Sequence, residues 1–173
     1  LSDSMKSQAF LSLGLALLCI LIYITFRFEF KYGVSAILAL LNDILVSLGL
    51  LAILNKMGLP VQIDMQVIGA IMTIIGYSLN DTIIVFDRIR EDIHIYRKLS
   101  LREIINQAIN TTLNRTLMTS GTTLLVLIAL LLFSGQAIFS FALVMTIGVV
   151  VGTISSLFLA SPMMLFFHER EQE

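Results

Sequence analysis

The chain has 173 residues, 57% of them hydrophobic and 13% charged, with a formal net charge of −1 at pH 7 and a mean hydropathy of +0.94. Soluble domains carry about a quarter charged residues, so this composition belongs to a chain embedded in a membrane. No basic patch is large enough to hold nucleic acid. The single cysteine, Cys19, stands in an apolar run. It excludes a disulfide framework and a thiolate metal site, and reads as a small buried hydrophobe.

The opening LSDSMKSQ, residues 1–8, is a polar lead-in on the outer face, without the basic region or cleavage site of a signal peptide. A helix crossing about 30 Å of hydrocarbon needs about 20 apolar residues. Five segments reach that length within residues 9–167. The first runs from Ala9 to Phe26, the second from Val34 to Leu54, and the third from Met65 to Phe86. The fourth runs from Thr112 to Phe133, and the fifth from Ala137 to Ala160 or beyond, as far as Phe167, across Pro162. Short turns join them, one marked by Gly58 and Pro60 and another by Gly135.

One connection is long, residues 87–111. Within it Ser100 and Glu103 have the spacing of a capping box, and Leu101, Ile104, Ile105, Ala108 and Ile109 fall on one helical face. This predicts an amphipathic helix on the cytoplasmic membrane surface. Residues 168–173 form a short tail. The fold class is therefore an all-α membrane protein, a bundle of five transmembrane helices with one surface helix.

Charge sets the orientation. Arg27, Lys31, Arg88, Arg90, Arg97, Lys98, Arg102 and Arg170 fall on one side, and only Lys6 and Lys56 on the other. The positive-inside rule puts the larger set, and the C-terminus, in the cytoplasm. An odd number of spans starting outside leads to the expectation of a further crossing upstream of Leu1.

Three ionisable residues lie within the spans: Asp43, Asp81 and Arg115. Each costs roughly 2.5–3.5 kcal/mol at a helix centre unless it is paired, neutralised or facing water. Asp43 is about 13 Å, and Asp81 about 9 Å, from the cytoplasmic end of its helix. Arg115 sits in the first turns of the fourth span. Asp81 and Arg115 thus share a depth on consecutive antiparallel helices, where an ion pair would lower the cost of both and a proton on Asp81 would break it. Asn80 and Asn114 stand beside them as hydrogen-bonding neighbours. Arg115 also admits a plainer reading, snorkelling to the interface. Asp43 is either protonated at rest or hydrogen-bonded to Asn42 and neighbours.

Gly148, Gly152, Ser156 and Ala160 recur every four residues and form a face for close helix packing. No Ser-His-Asp arrangement, phosphate-binding loop or metal-ligand cluster occurs, so no enzymatic activity is expected. His94 and His168 have no partners at ligand spacing.

The segment GYSLNDTIIVFDRIRE, Gly76 to Glu91, resembles the signature of the bacterial SecD/SecF family of protein-export membrane proteins. NRTLMTSGTTLL, from Asn114, and GTISSLFLASP, from Gly152, resemble its next and last helices. Asn80-Asp81, where the SecD branch tends to carry Asp-Ala-Asn, favours the SecF branch. The second span departs from that branch, with Asn42-Asp43 where His-Asp is usual, and an Asn cannot titrate.

The resemblance implies an RND-like transmembrane half in the inner membrane, paired with SecD and associated with the SecYEG channel and often YajC. It implies proton conduction through Asp81 and Arg115, and Asp43, Asn80 and Asn114 join that candidate relay by their position in the spans. The only cofactor would be the proton as coupling ion. The translocating preprotein would be pulled by a periplasmic domain outside these residues. Membrane lipid is the other contact, and nucleic acid is not one. Two rival functions remain open on the residues: a passive scaffold docking SecD through its small-residue faces, and an RND-type small-molecule exporter.

Overall fold

The computed structural model describes residues 3–28, 30–59, 61 and 64–170, without the side chains of residues 3, 5, 6, 31, 137 and 168–170. The described residues form six helices: α1 (Asp3–Arg27), α2 (Phe30–Lys56), α3 (Met65–Ile95), α4 (Leu101–Phe133), α5 (Gln136–Phe158) and α6 (Ala160–Arg170). Five helical stretches are long and apolar enough to cross a membrane. Pro60, Leu1 and Ser2, and the end of the tail at 171–173 lie outside the described residues.

Local chemistry sets the ends. Asp64 caps α3, its Oδ1 accepting from the amides of Gln66 and Val67, each at 3.0 Å. Gly58 closes α2 at φ +99°, a conformation that excludes most side chains. The fifth span divides at Leu159, three residues before Pro162, whose ring cannot share a turn with the carbonyl of residue 158.

The largest difference from the sequence reading lies at 87–111. Helix α3 continues to Ile95 and α4 starts at Leu101, so the long connection shrinks to Tyr96–Ser100. The charges beyond Phe86 extend the helix because they pair along it: Arg88 meets Glu91 and Asp92, each at 3.0 Å. The capping box does form, with Glu103 Oε2 accepting from the Ser100 amide at 2.9 Å. It opens α4 itself, however, and no separate surface helix exists among the described residues. The apolar face predicted to meet lipid meets protein instead: Ile105 and Ala108 pack with Val85, Phe86, Ile89 and Met164. Ser100→Ala removes the cap and is expected to cost about 1 kcal/mol. Hydrogen exchange at the first turn of α4 should then run roughly fivefold faster, with the rest of the bundle unchanged.

Helix α5 is the hub, packed against α2, α3, α4 and α6. Lipid tails are as apolar as the helix faces, so close packing rather than water exclusion holds such a bundle. A Cβ built on Gly148 would overlap the Ile74 side chain, and one on Gly152 would stand 3.0 Å from Ser78 Cβ. The pairs 148–74 and 152–78 advance together, so α3 and α5 run parallel. Ser156 and Ala160 continue the stripe, both wholly buried. By contrast α1 packs chiefly on α2 and presents Phe10, Leu15, Ile22 and Phe26 outward. Cys19 is exposed with them, which corrects its reading as a buried residue.

Candidate functional site: two buried carboxylates

At mid-depth the apolar core is interrupted by a polar layer. Asp43 of α2 is fully buried, and its Oδ2 accepts a 2.5 Å hydrogen bond from Ser78 Oγ of α3. Counted from Val34 and Phe86, each residue lies about 12–13 Å along antiparallel helices, so depth permits this contact. Asn42 and Ser155 of α5 lie close enough to act on the same carboxylate, but its Oδ1 has no hydrogen-bond partner, nor has Ser155 Oγ. Beside this group Ser120 Oγ and Thr153 Oγ1 meet at 2.6 Å, and Tyr77 donates to Ser120 at 3.4 Å. Hydroxyls from α3, α4 and α5 thus satisfy one another where lipid could not.

One turn along α3 from Ser78 lies Asp81, 1% exposed. Neither of its oxygens accepts a hydrogen bond. The expected contact ion pair with Arg115 is absent from the ion pairs of the described residues. Arg115 acts on the carboxylate as a charge at a distance. The reason lies in helical phase. The buried stripe of α4 runs through Thr112, Thr116 and Ser120, and Arg115, one residue off, is rotated about 100° away from it. Its side chain is exposed, as are Asn114 and, on α3, Asn80. The two asparagines expected to support Asp81 therefore leave its carboxylate without a hydrogen bond.

Of the sequence candidates, the structure brings Gly148 and Gly152 against Ile74 and Ser78, and buries Asp43 and Asp81. Arg115, Asn80 and Asn114 lie at matching depth but on exposed faces. Ser78, Ser47 and Ser155 were not anticipated. The signal for Ser78 was its place three residues before Asp81, a spacing that puts both on one face. No group of three or more His, Cys, Asp or Glu among the described residues could hold a metal.

A buried carboxylate with no hydrogen bond can be charged only at the expense of solvation, and binding a proton removes that cost. The remaining attraction for Asp81 is the nearby guanidinium, which a proton would also switch off.

The family model described as "Protein export membrane protein SecD/SecF, C-terminal" matches residues 1–170. The chain is 44% identical over 170 residues to the protein translocase subunit SecF of Rhodothermus marinus, covering 98% of this chain and 55% of that protein. It is 42% identical over 163 residues to the SecF subunit of Vibrio alginolyticus, covering 94% and 50%. Among solved structures, SecDF in its super-membrane-facing form superposes with a TM-score of 0.91 at 38% identity, covering 99% of this chain and 23% of that one. A SecDF structure from Thermus thermophilus, described as a translocon-associated membrane protein, gives 0.90 at 38%, covering 97% and 23%. The chain spans about half the length of these curated relatives. With the match running through nearly every residue and the helical bundle superposing as a whole, the chain belongs to the SecD/SecF family of protein-export membrane proteins and is similar to its SecF members.

Proposed function

We propose that the chain is the membrane-embedded part of a SecF-type subunit, and that it couples the proton-motive force to preprotein translocation through Asp81. The observation that carries this reading is a carboxylate buried in the membrane with both oxygens unpaired, in the field of one arginine. The proton is the coupling ion, and the chain performs no covalent chemistry of its own. Each charge crossing 100 mV releases about 2.3 kcal/mol, enough to bias a conformational equilibrium roughly fiftyfold. That bias would reach the preprotein through the periplasmic part of the longer protein.

The exposed Asn80, Asn114 and Arg115 support a protein partner at this level of the membrane, since lipid tails would leave them unsatisfied. The transmembrane half of SecD suits that role, because the similar solved structures are SecDF. Association with the SecYEG channel and with YajC follows from the same reading. So does an inner-membrane location with the C-terminus in the cytoplasm, which the asymmetry of arginine and lysine supports.

The scaffold alternative relied on the glycine face for docking. That face is occupied within the bundle, where Gly148 meets Ile74 and Gly152 meets Ser78, so it is not free for a partner. The test uses the full-length protein, co-reconstituted with SecD and the channel in vesicles carrying a proton gradient. Export should fall to the level without SecD and SecF when a protonophore collapses the gradient. Stimulation that persists after the collapse would leave only the scaffold.

A further inference from the structure

Asp43 has no place in the Asp81–Arg115 switch, yet it is as deeply buried. Helix α3 meets it with Ser78, and α5 brings Ser155 close to it; α1 packs the apolar Leu13, Leu17 and Ile20 against the neighbouring Leu40, Ile44 and Ile75. Arg115, which acts on Asp81, is not among the groups acting on Asp43. A carboxylate in such surroundings with one hydrogen bond and no cation is held cheaply only while it carries a proton for part of its working cycle.

Its position gives that proton a direction. Helix α2 runs outward, and Ser47, four residues beyond Asp43, is buried with its hydroxyl unpaired. Ser78 stands beside Asp43 and three residues before Asp81, about 4.5 Å nearer the outer face. Ser47, Asp43, Ser78 and Asp81 therefore descend in order from the outer half of the bundle toward the cytoplasm. Ser78 cannot drift from this line. Gly152 of α5 presses on it from one side, so close that an added Cβ would stand 3.0 Å from Ser78 Cβ, while Asp43 holds its hydroxyl from another.

We propose that Asp43 is a second proton-binding site, upstream of Asp81, and that Ser78 is the residue that positions its carboxylate. The step is reversible protonation of the Asp43 carboxylate by hydronium, with one O–H bond broken on the hydronium, one formed on the carboxylate and the total charge unchanged. The inference rests on the proton-coupled reading above.

The test is pH-difference infrared spectroscopy on the full-length protein with SecD, alongside proton-driven export in vesicles. Two protonation-sensitive carboxyl bands are expected, one lost in Asp81→Asn and the other in Asp43→Asn. Ser78→Ala should displace the Asp43 band, because its hydrogen bond is gone, and slow export about tenfold. Asp43→Glu should restore part of the loss caused by Asp43→Asn. An Asp43→Asn protein with every pH-dependent band intact overturns the second site. So does a Ser78→Ala protein whose bands and export match the parent, which also decides the matter should Asp43→Asn fail to assemble. Failure of the coupling reading itself looks different: Asp81→Asn would then export at the parent rate.

Discussion

Asp81→Asn is expected to abolish the gradient-dependent part of export while the bundle and its complex with SecD stay intact. Asn has nearly the volume and shape of Asp but takes up no proton and carries no charge. The site offers the carboxylate no hydrogen bond to lose, and removing a potential charge from low-dielectric surroundings does not destabilise a fold. Packing of Val85, Phe86 and Ile89 around the same face of α3 should therefore be undisturbed. What disappears is the switchable attraction to Arg115. Translocation in vesicles should match the level seen after the gradient is collapsed, and SecD should co-purify in normal amount. Undiminished export would remove the proton role from this residue.

Gly148→Leu is expected to have the largest effect on the fold itself. Even a single Cβ at this position overlaps Ile74, which is 2% exposed and confined between α3 and α5. Three further carbons would force the two helices apart along their longest seam. Overpacking a core typically costs 1–3 kcal/mol, and a close backbone approach between parallel helices should place this case at or above about 3 kcal/mol. Folded protein in detergent should fall sharply, with a lower thermal midpoint. Gly14→Leu is the control, because nothing lies within 4 Å of a Cβ there and the residue faces outward on α1. Trimming the obstacle with Ile74→Ala should partly rescue Gly148→Leu. A Gly148→Leu protein as stable as the parent would mean that α3 and α5 do not meet as described.

Both arguments draw on a polar layer that only the assembled bundle reveals. The depth of Asp43 followed from counting residues along α2, but its bond to Ser78 required knowing that α2 and α3 face each other at that level. Residue counts put Asp81 and Arg115 at one depth, yet depth is only one coordinate. Rotation about the α4 axis sets Arg115 off the buried stripe, and one-dimensional spacing does not measure rotation relative to a neighbour.

The segment at 87–111 shows the complementary limit. Its amphipathic period was legible, and so was its capping box. The partner of its apolar face was not, because lipid and a packed helix demand the same pattern of side chains. The face went to Phe86 and Ile89 of α3, whose helix continues to Ile95 with the Arg88–Glu91 and Arg88–Asp92 pairs along it.

Length and hydropathy alone determined that this chain crosses a membrane five times, since about 20 apolar residues per crossing leave no other count. The bias of arginine and lysine implied which way round it lies. The tertiary structure alone decided which carboxylate is hydrogen-bonded, which is left bare, and which glycines bring helices together. Those outcomes depend on contacts between residues some thirty to seventy positions apart, and along a single helix such residues leave no mark on each other's sequence.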